Sequence, residues 1–296
     1  MNLIDIASWQ KGLDLADLYN RNPDLDGVIV KVSQGTTYVN PCAKEWLNWL
    51  TLSRKCTGTY HYLDYYDAEK EARHYVDSVK PWLGKVMLAI DYEGAALSRG
   101  TVYLKACLDE VTRLTGIRPL VYCSRSLTQS QDFSAIAAAG YRLWLAQYAD
   151  YQTVSGFIGT PWQKGSVAPF DGYAIHQYTS RGRLKGWDHD LDFDLFRGTK
   201  EDWRLLCGDD SGGHVPGAVQ VLWGPSPTVV DEVLANRYGT GAVRGEKLRA
   251  AGYDPYRVQE KINELYGIAL NIGPLIAGNR EYIHSIATIV SSQQHH

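Results

Sequence analysis

The chain has 296 residues, enough for one barrel of about 200–250 residues with a small appendage, or for two domains of similar size. With 45% hydrophobic and 21% charged residues, it is neither collagenous nor low in complexity, and it carries too much apolar material for intrinsic disorder. A net charge of −3 leaves no basic surplus to neutralise a phosphate backbone, so nucleic acid is not an expected partner.

Short apolar runs that end in polar residues recur along the chain: Leu3–Ile6, Val28–Val32, Thr57–Tyr62, Val86–Asp91, Leu120–Cys123, Leu143–Gln147, Tyr173–Tyr178 and Leu191–Leu195. The first five are each followed by a segment of helical period. In 101–115, Leu104, Leu108, Val111 and Leu114 form a stripe that Gly116 stops. Strands alternating with helices predict a parallel sheet. After the sixth run the alternation fails, because 151–171 is rich in Gly, Pro, Ser and Thr and 179–190 is too short and polar for a crossover helix. The fold class predicted is α/β, an irregular barrel of eight strands and five intervening helices, regular at first and loop-connected at the end. A last helix near 200–206 is capped by Thr199, and the active face is expected at the strands' C-terminal ends.

The barrel is expected to span 1–207. Residues 208–227 mix Gly, Pro, Ser and Asp as a linker does. Three helical patterns follow at 228–237, 241–250 and 255–266, with Gly239, Gly252 and Gly267 as stops and Asp254-Pro255 as a start, which predicts a three-helix unit over 228–267. No function is read for 268–296. No stretch reaches the roughly 18 apolar residues of a membrane span, and the N-terminus lacks the basic and apolar regions of a signal peptide. Synthesis in the cytoplasm without membrane insertion is expected. The five cysteines are odd in number and form no CxxC pair, so they read as reduced core thiols.

Chemistry concentrates at the strand ends. The run through Ile90-Asp91-Tyr92-Glu93 ends in two acids at i and i+2, which share a face on an extended chain. Such a pair at a barrel rim suits glycoside hydrolysis, in which one acid protonates the leaving oxygen and another carboxylate supports developing positive charge; by itself it fits a solvated strand end equally well. Asp5 at the end of the first strand and Asp192 in the eighth run would be neighbours of this pair in a closed barrel, although Asp188, Asp190 and Asp194 crowd the same segment. Tyr60, Tyr62, Tyr122, Trp144, Tyr148 and Tyr178 also fall on or just beyond strand ends. Together they resemble a wall that stacks on sugar rings and bonds their hydroxyls, in a chain with 20 Tyr and 9 Trp against 5 Phe. His61, His74, His176 and His189 have no HExxH or CxxC partner, and neither metal nor cofactor is expected.

Asp5-Ile6-Ala7-Ser8-Trp9-Gln10, Tyr60-His61-Tyr62, Asp91-Tyr92-Glu93, Leu143-Trp144-Leu145-Ala146 with Tyr148, and His176-Gln177-Tyr178 together resemble glycoside hydrolase family 25 over about residues 1–200. The resemblance implies a flattened (β/α)5(β)3 barrel that cleaves the β-1,4 bond between N-acetylmuramic acid and N-acetylglucosamine in peptidoglycan, as in phage endolysins. It makes Glu93 the general acid, Asp91 the carboxylate that stabilises the transition state or orients the substrate acetamide, Asp5 and Asp192 supporting acids, and Gln177 part of the sugar site. Residues 228–267 are similar to the CW-seven cell-wall-binding repeat, with Asp231, Arg244 and Tyr253 as implied muropeptide contacts and Tyr238 where that repeat usually has Trp. Bacterial peptidoglycan is the implied partner, and a single weak module would gain avidity by homo-oligomerisation through the C-terminal region. Two alternatives stay open on the sequence: a chitinase-like hexosaminidase barrel, against which Ala89 stands two residues before Asp91, and a catalytically silent wall-binding protein.

Overall fold

The computed structural model describes residues 1–208, 227–251, 253, 258, 259 and 262. The chain divides into two compact units, Met1–Val221 and Leu222–His296. In the first, eight strands close a barrel: β1 (Asn2–Ile6), β2 (Gly27–Gln34), β3 (Cys56–Tyr62), β4 (Met87–Asp91), β5 (Leu120–Ser124), β6 (Arg142–Ala146), β7 (Ile175–Leu184) and β8 (Trp187–Phe196). β1 pairs with both β2 and β8, which closes the ring.

Helices follow each of the first five strands: α1 (Leu15–Arg21), α2 (Ala43–Leu52), α3 (Ala68–Val79), α4 (Gly100–Thr115), and after β5 the short pair α5 (Arg125–Ser130) and α6 (Ser134–Ala138). Their apolar stripes cover the outward strand residues. Val28, Val30, Leu88, Ile90 and Val121 belong to one buried cluster with Leu18, Leu47, Tyr75, Leu104 and Leu108 from the helices. α4 ends at Gly116, whose φ of 73° is the left-handed stop that its sequence position predicts. After the barrel, α7 (Lys200–Leu206) begins at Thr199, whose side chain accepts from the Asp202 amide while Asp202 accepts from the Thr199 amide. All five cysteines are free thiols.

Two expectations are corrected. The sheet is not parallel throughout: β8 runs antiparallel to both β7 and β1. Residues 179–190 are also not a plain loop, because β7 and β8 extend through them as a hairpin that turns at Lys185-Gly186, with Gly186 at φ 93°. A hairpin needs no crossover helix, so polarity was a poor guide to extended structure there.

In the second unit, α8 (Pro227–Leu234) and α9 (Gly241–Ala250) are joined through Gly239 at φ 74°. Val229, Val230, Val233, Leu248, Val258 and Ile262 form its core. Val258, Gln259 and Ile262 are helical; the rest of the third predicted helix, most of the predicted linker and the segment 268–296 lie outside the described residues. Among the described residues no helix is long and apolar enough to cross a membrane.

Candidate active site

Alternation along the strands sorts the barrel interior by depth. At the N-terminal end it is apolar: Leu3, Ile29, Met87, Leu120 and Ile175 are buried. Gly58 makes room among them, since a Cβ there would lie 2.8 Å from Met87 Cε and 3.0 Å from Ile29 Cγ1. Further along the same faces, towards the strands' C-terminal ends, stand Asp5, Lys31, Tyr122 and Gln177, each two residues on, and Asp91, four residues beyond Met87. These and their neighbours surround an open pocket of about 250 Å³ lined by Asp5, Tyr60, Asp91, Glu93, Tyr122, Trp144, Tyr148, Gln177 and Asp192.

All four expected acids therefore meet. Asp5 and Asp192 are direct partners across the β1–β8 pair, and Asp194 lies one step deeper, opposite Leu3. Because β8 is antiparallel, the earlier acid is the one nearer the mouth. Gln177 ties the floor together: its Nε2 donates to Asp5 Oδ2 at 2.7 Å, while its Oε1 accepts from Tyr122 Oη at 2.8 Å and Tyr148 Oη at 2.5 Å. Trp144 lines the pocket from a buried position, with its indole N–H on Asp194 Oδ1 at 2.7 Å and its ring edge-on to Tyr60 and Tyr122.

Four carboxyls lining one pocket, with Asp194 buried beneath them, cannot all ionise freely. Burial, then the charge of Asp194, holds Asp5 well above the usual carboxylate range; burial, then the charge of Glu93, does the same to Asp91. Asp192 and Asp194 are each pushed up to about 8, chiefly by burial. Glu93 keeps a face to solvent at the mouth, but the walls beside it withdraw enough water to raise it, and the Lys31 ammonium pulls it back. Asp91 Oδ1 is buried with no hydrogen-bond partner among the described residues.

Lys31 was not anticipated as part of the site. It is half-buried on β2, bonded to Gln34 Oε1 at 2.8 Å, with its Nζ 4.3 Å from the Tyr62 ring centroid. A lysine interrupting the apolar run Val28–Val32 near a strand end was the signal in the sequence. Tyr62 stands outside the pocket lining, at the turn that carries Glu93. Gly94 there has φ 56°, and a Cβ on it would meet the Tyr62 hydroxyl at 2.2 Å, so only glycine allows the approach.

Tyr178 is not on the sugar-facing wall. It follows Gln177 on a strand and so points to the opposite face, where it packs edge-on to Phe193 and its hydroxyl accepts from the Ile158 amide at 3.2 Å. His61 is structural: between Ser33 Oγ at 2.9 Å and Glu71 Oε2 at 3.3 Å, it belongs to a buried chain in which Glu71 also accepts from the Asp64 and Tyr66 amides and from Tyr103 Oη. That chain fixes the loop after β3. His176 Nε2 donates to the Gln147 carbonyl at 2.7 Å. Among the described residues no group of three or more His, Cys, Asp or Glu is arranged to hold a metal ion.

In the second unit, Arg244 donates from Nε to the Gly239 carbonyl at 2.8 Å and from Nη1 to Gln259 Oε1 at 3.4 Å, and Tyr253 is half-buried against the small core. Asp231 lies on α8, with its side chain outside the described residues.

A closed α/β barrel with clustered acids at the strands' C-terminal ends places them where barrel enzymes hold their active sites. Comparison with known proteins makes the class specific: residues 4–187 match glycosyl hydrolases family 25, and residues 227–266 match the CW_7 repeat. The lysozyme of Streptococcus phage Cp-7 is 28% identical over 279 residues, covering 88% of this chain and 69% of that protein. The lysozyme of Streptococcus phage Cp-9 is 29% identical over 57% of this chain and 51% of its own length. The barrel resembles that of a bacterial lysozyme from Streptomyces coelicolor, with a TM-score of 0.59 at 16% identity, covering 71% of this chain and 97% of that one. It also resembles the catalytic domain of endolysin ply40 from Listeria phage P40, with a TM-score of 0.56 at 24% identity over 70% and 97%. The chain belongs to glycosyl hydrolases family 25 and is a glycoside hydrolase that carries a cell-wall-binding repeat.

Proposed function

We propose that this chain is a peptidoglycan muramidase that cleaves the β-1,4 bond between N-acetylmuramic acid and N-acetylglucosamine, with Glu93 as the general acid. The position of Glu93 supports the reading: at the pocket mouth, with its pKa raised by burial, it stands where a leaving oxygen can reach it. Asp91 sits on the same face, deeper and more enclosed. Its Oδ1, unpartnered among the described residues, is suited to accept the N–H of the substrate's own acetamide. We favour that substrate-assisted route, because two acids on one short segment have little freedom to approach opposite faces of the anomeric carbon. Asp5 and Asp192 support the charge distribution, with Gln177, Tyr122 and Tyr148 fixing Asp5 from below.

The repeat at 227–266 would hold the enzyme on the wall through Asp231, Arg244 and Tyr253, of which Arg244 retains donors beyond its two bonds within the unit. The biological role is that of a phage endolysin, reaching peptidoglycan from the host cytoplasm through a membrane breach.

The test is digestion of purified peptidoglycan, borohydride reduction and mass analysis of the new reducing sugar, with Glu93→Gln run in parallel. Reduced muramic acid is expected, at a rate lowered by about 10²–10⁴-fold in the variant, the range of general-acid contributions. Reduced glucosamine would place the cut at the other bond. No new reducing end from the folded chain would make it a binding protein. The first-formed anomer tests the route, since inversion is incompatible with acetamide assistance.

A further inference from the structure

We propose that Trp9 and Tyr38 form a second sugar-contact surface outside the carboxylate pocket, on which a pyranose ring of the glycan strand rests beyond the sugars at the point of cleavage. This rests on the muramidase reading above. The pocket, at about 250 Å³, is smaller than the roughly 300–1,000 Å³ of common small-ligand sites, so a polymeric substrate must leave most of its length on the rim.

On the β1–β2 side, outside the pocket lining, a chain of side-chain contacts leads away from the acids. Lys31 Nζ, attracted by the charges of Asp91 and Glu93, lies 4.3 Å from the Tyr62 ring centroid and 6.0 Å from that of Tyr38. Tyr38 in turn donates its hydroxyl proton to Ser8 Oγ at 3.1 Å, which ties the turn after β2 to the turn after β1. Trp9 is the next residue, and its side chain is 89% exposed.

A single exposed hydrophobe needs no explanation. Here the backbone beneath it is pinned, with the Ala7 amide on Gln10 Oε1 at 2.9 Å and the Lys11 amide on the Ser8 carbonyl at 3.2 Å. The indole is thus presented to water by a fixed turn, and the hydroxyl of Tyr38 is bonded to the residue before it. The C–H face of a pyranose suits the indole, and its hydroxyls suit Tyr38 Oη and Ser8 Oγ. A disordered rim would have to be ordered on binding, whereas this one is already in place.

The experiment uses the full chain with Trp9→Ala, Tyr38→Ala and Trp9→Phe, on two substrates from one preparation: the shortest glycan that is cleaved and a long strand. The ratio of kcat/KM on the long strand to that on the short one is expected to fall by about three- to tenfold in the alanine variants, mainly through KM, and to recover in Trp9→Phe. Retention on long strands in a Glu93→Gln background should fall in parallel. The wall-binding repeat is present in every variant, so it cannot produce the difference. An unchanged ratio would overturn the proposal. So would equal losses on both substrates, which would mean that Trp9 supports the pocket instead of a distal ring. Absence of cleavage by the parent chain on either glycan is a different result: it would bring down the muramidase reading, and this surface with it.

Discussion

Lys31 shows how much one side chain can govern in a crowded acidic pocket. Burial raises both Asp91 and Glu93, and the ammonium of Lys31 opposes the rise in each. In the proposed mechanism the acidic limb of the pH profile follows the group that must be ionised and the alkaline limb follows the acid that must stay protonated. Lys31→Met removes a cation that favours both carboxylates, so both limbs of the kcat/KM profile should move to higher pH. A profile that keeps its position while its height drops would show that Lys31 binds substrate without tuning the acids. Gln177 is the second decisive residue, because its amide donor and acceptor serve opposite partners, Asp5 on one side and two tyrosine hydroxyls on the other. Gln177→Glu reverses the donor towards Asp5 and adds a like charge. Activity should fall by at least about tenfold in steady-state assays, the cost of one misplaced charge-assisted bond.

Among the elements, the turn after β4 is the most constrained. Gly94 holds a left-handed φ of 56° while the Tyr62 hydroxyl occupies the space of a Cβ. Gly94→Ala must strain the backbone and displace Tyr62, at a cost of about 1–3 kcal/mol in denaturant unfolding. The activity loss should exceed what the lost stability explains, since Glu93 precedes the turn; loss of stability with full activity would detach the turn from the site. The β7–β8 hairpin matters for a different reason. It brings Asp192 to the mouth and Asp194 to the floor by reversing the strand direction, and it places Gln177 inward only by turning Tyr178 outward.

At the scale of the whole molecule, the site costs stability. Asp192 and Asp194 have pKa values of about 8 in the fold against about 3.9 in an unfolded chain, and Asp5 and Asp91 shift in the same direction. The folded state then binds more protons than the unfolded one between about pH 4 and pH 8, so stability falls as pH rises through that window. His61 and His176 are held below their ordinary value by burial and act in the opposite sense, but only below about pH 6.5. The barrel should therefore lose thermal stability between about pH 6.5 and 8, by at least about 2 °C in Tm by calorimetry. Asp194→Asn should flatten the slope, and a Tm that rises across this interval would contradict the assignment.

By itself the sequence determined the strands, the helices after the first five of them, and the strand-end positions of Asp5, Asp91 and Glu93, because strand and helix periods and strand-end carboxylates are local patterns. It also carried the resemblance that names the chemistry. Only the tertiary structure decided what depends on pairing. The antiparallel β8 sets which acid of Trp187–Phe196 reaches the pocket, a two-residue register that periodicity cannot choose when Asp188, Asp190, Asp192 and Asp194 all alternate alike. It likewise decided that Trp144 and Gln177 bond to Asp194 and Asp5, that Tyr178 leaves the sugar wall, and that Lys31 joins the acids. Those facts arise from contacts between residues 50 and 172 positions apart in the chain, and only closure of the barrel brings such residues within a hydrogen bond of each other.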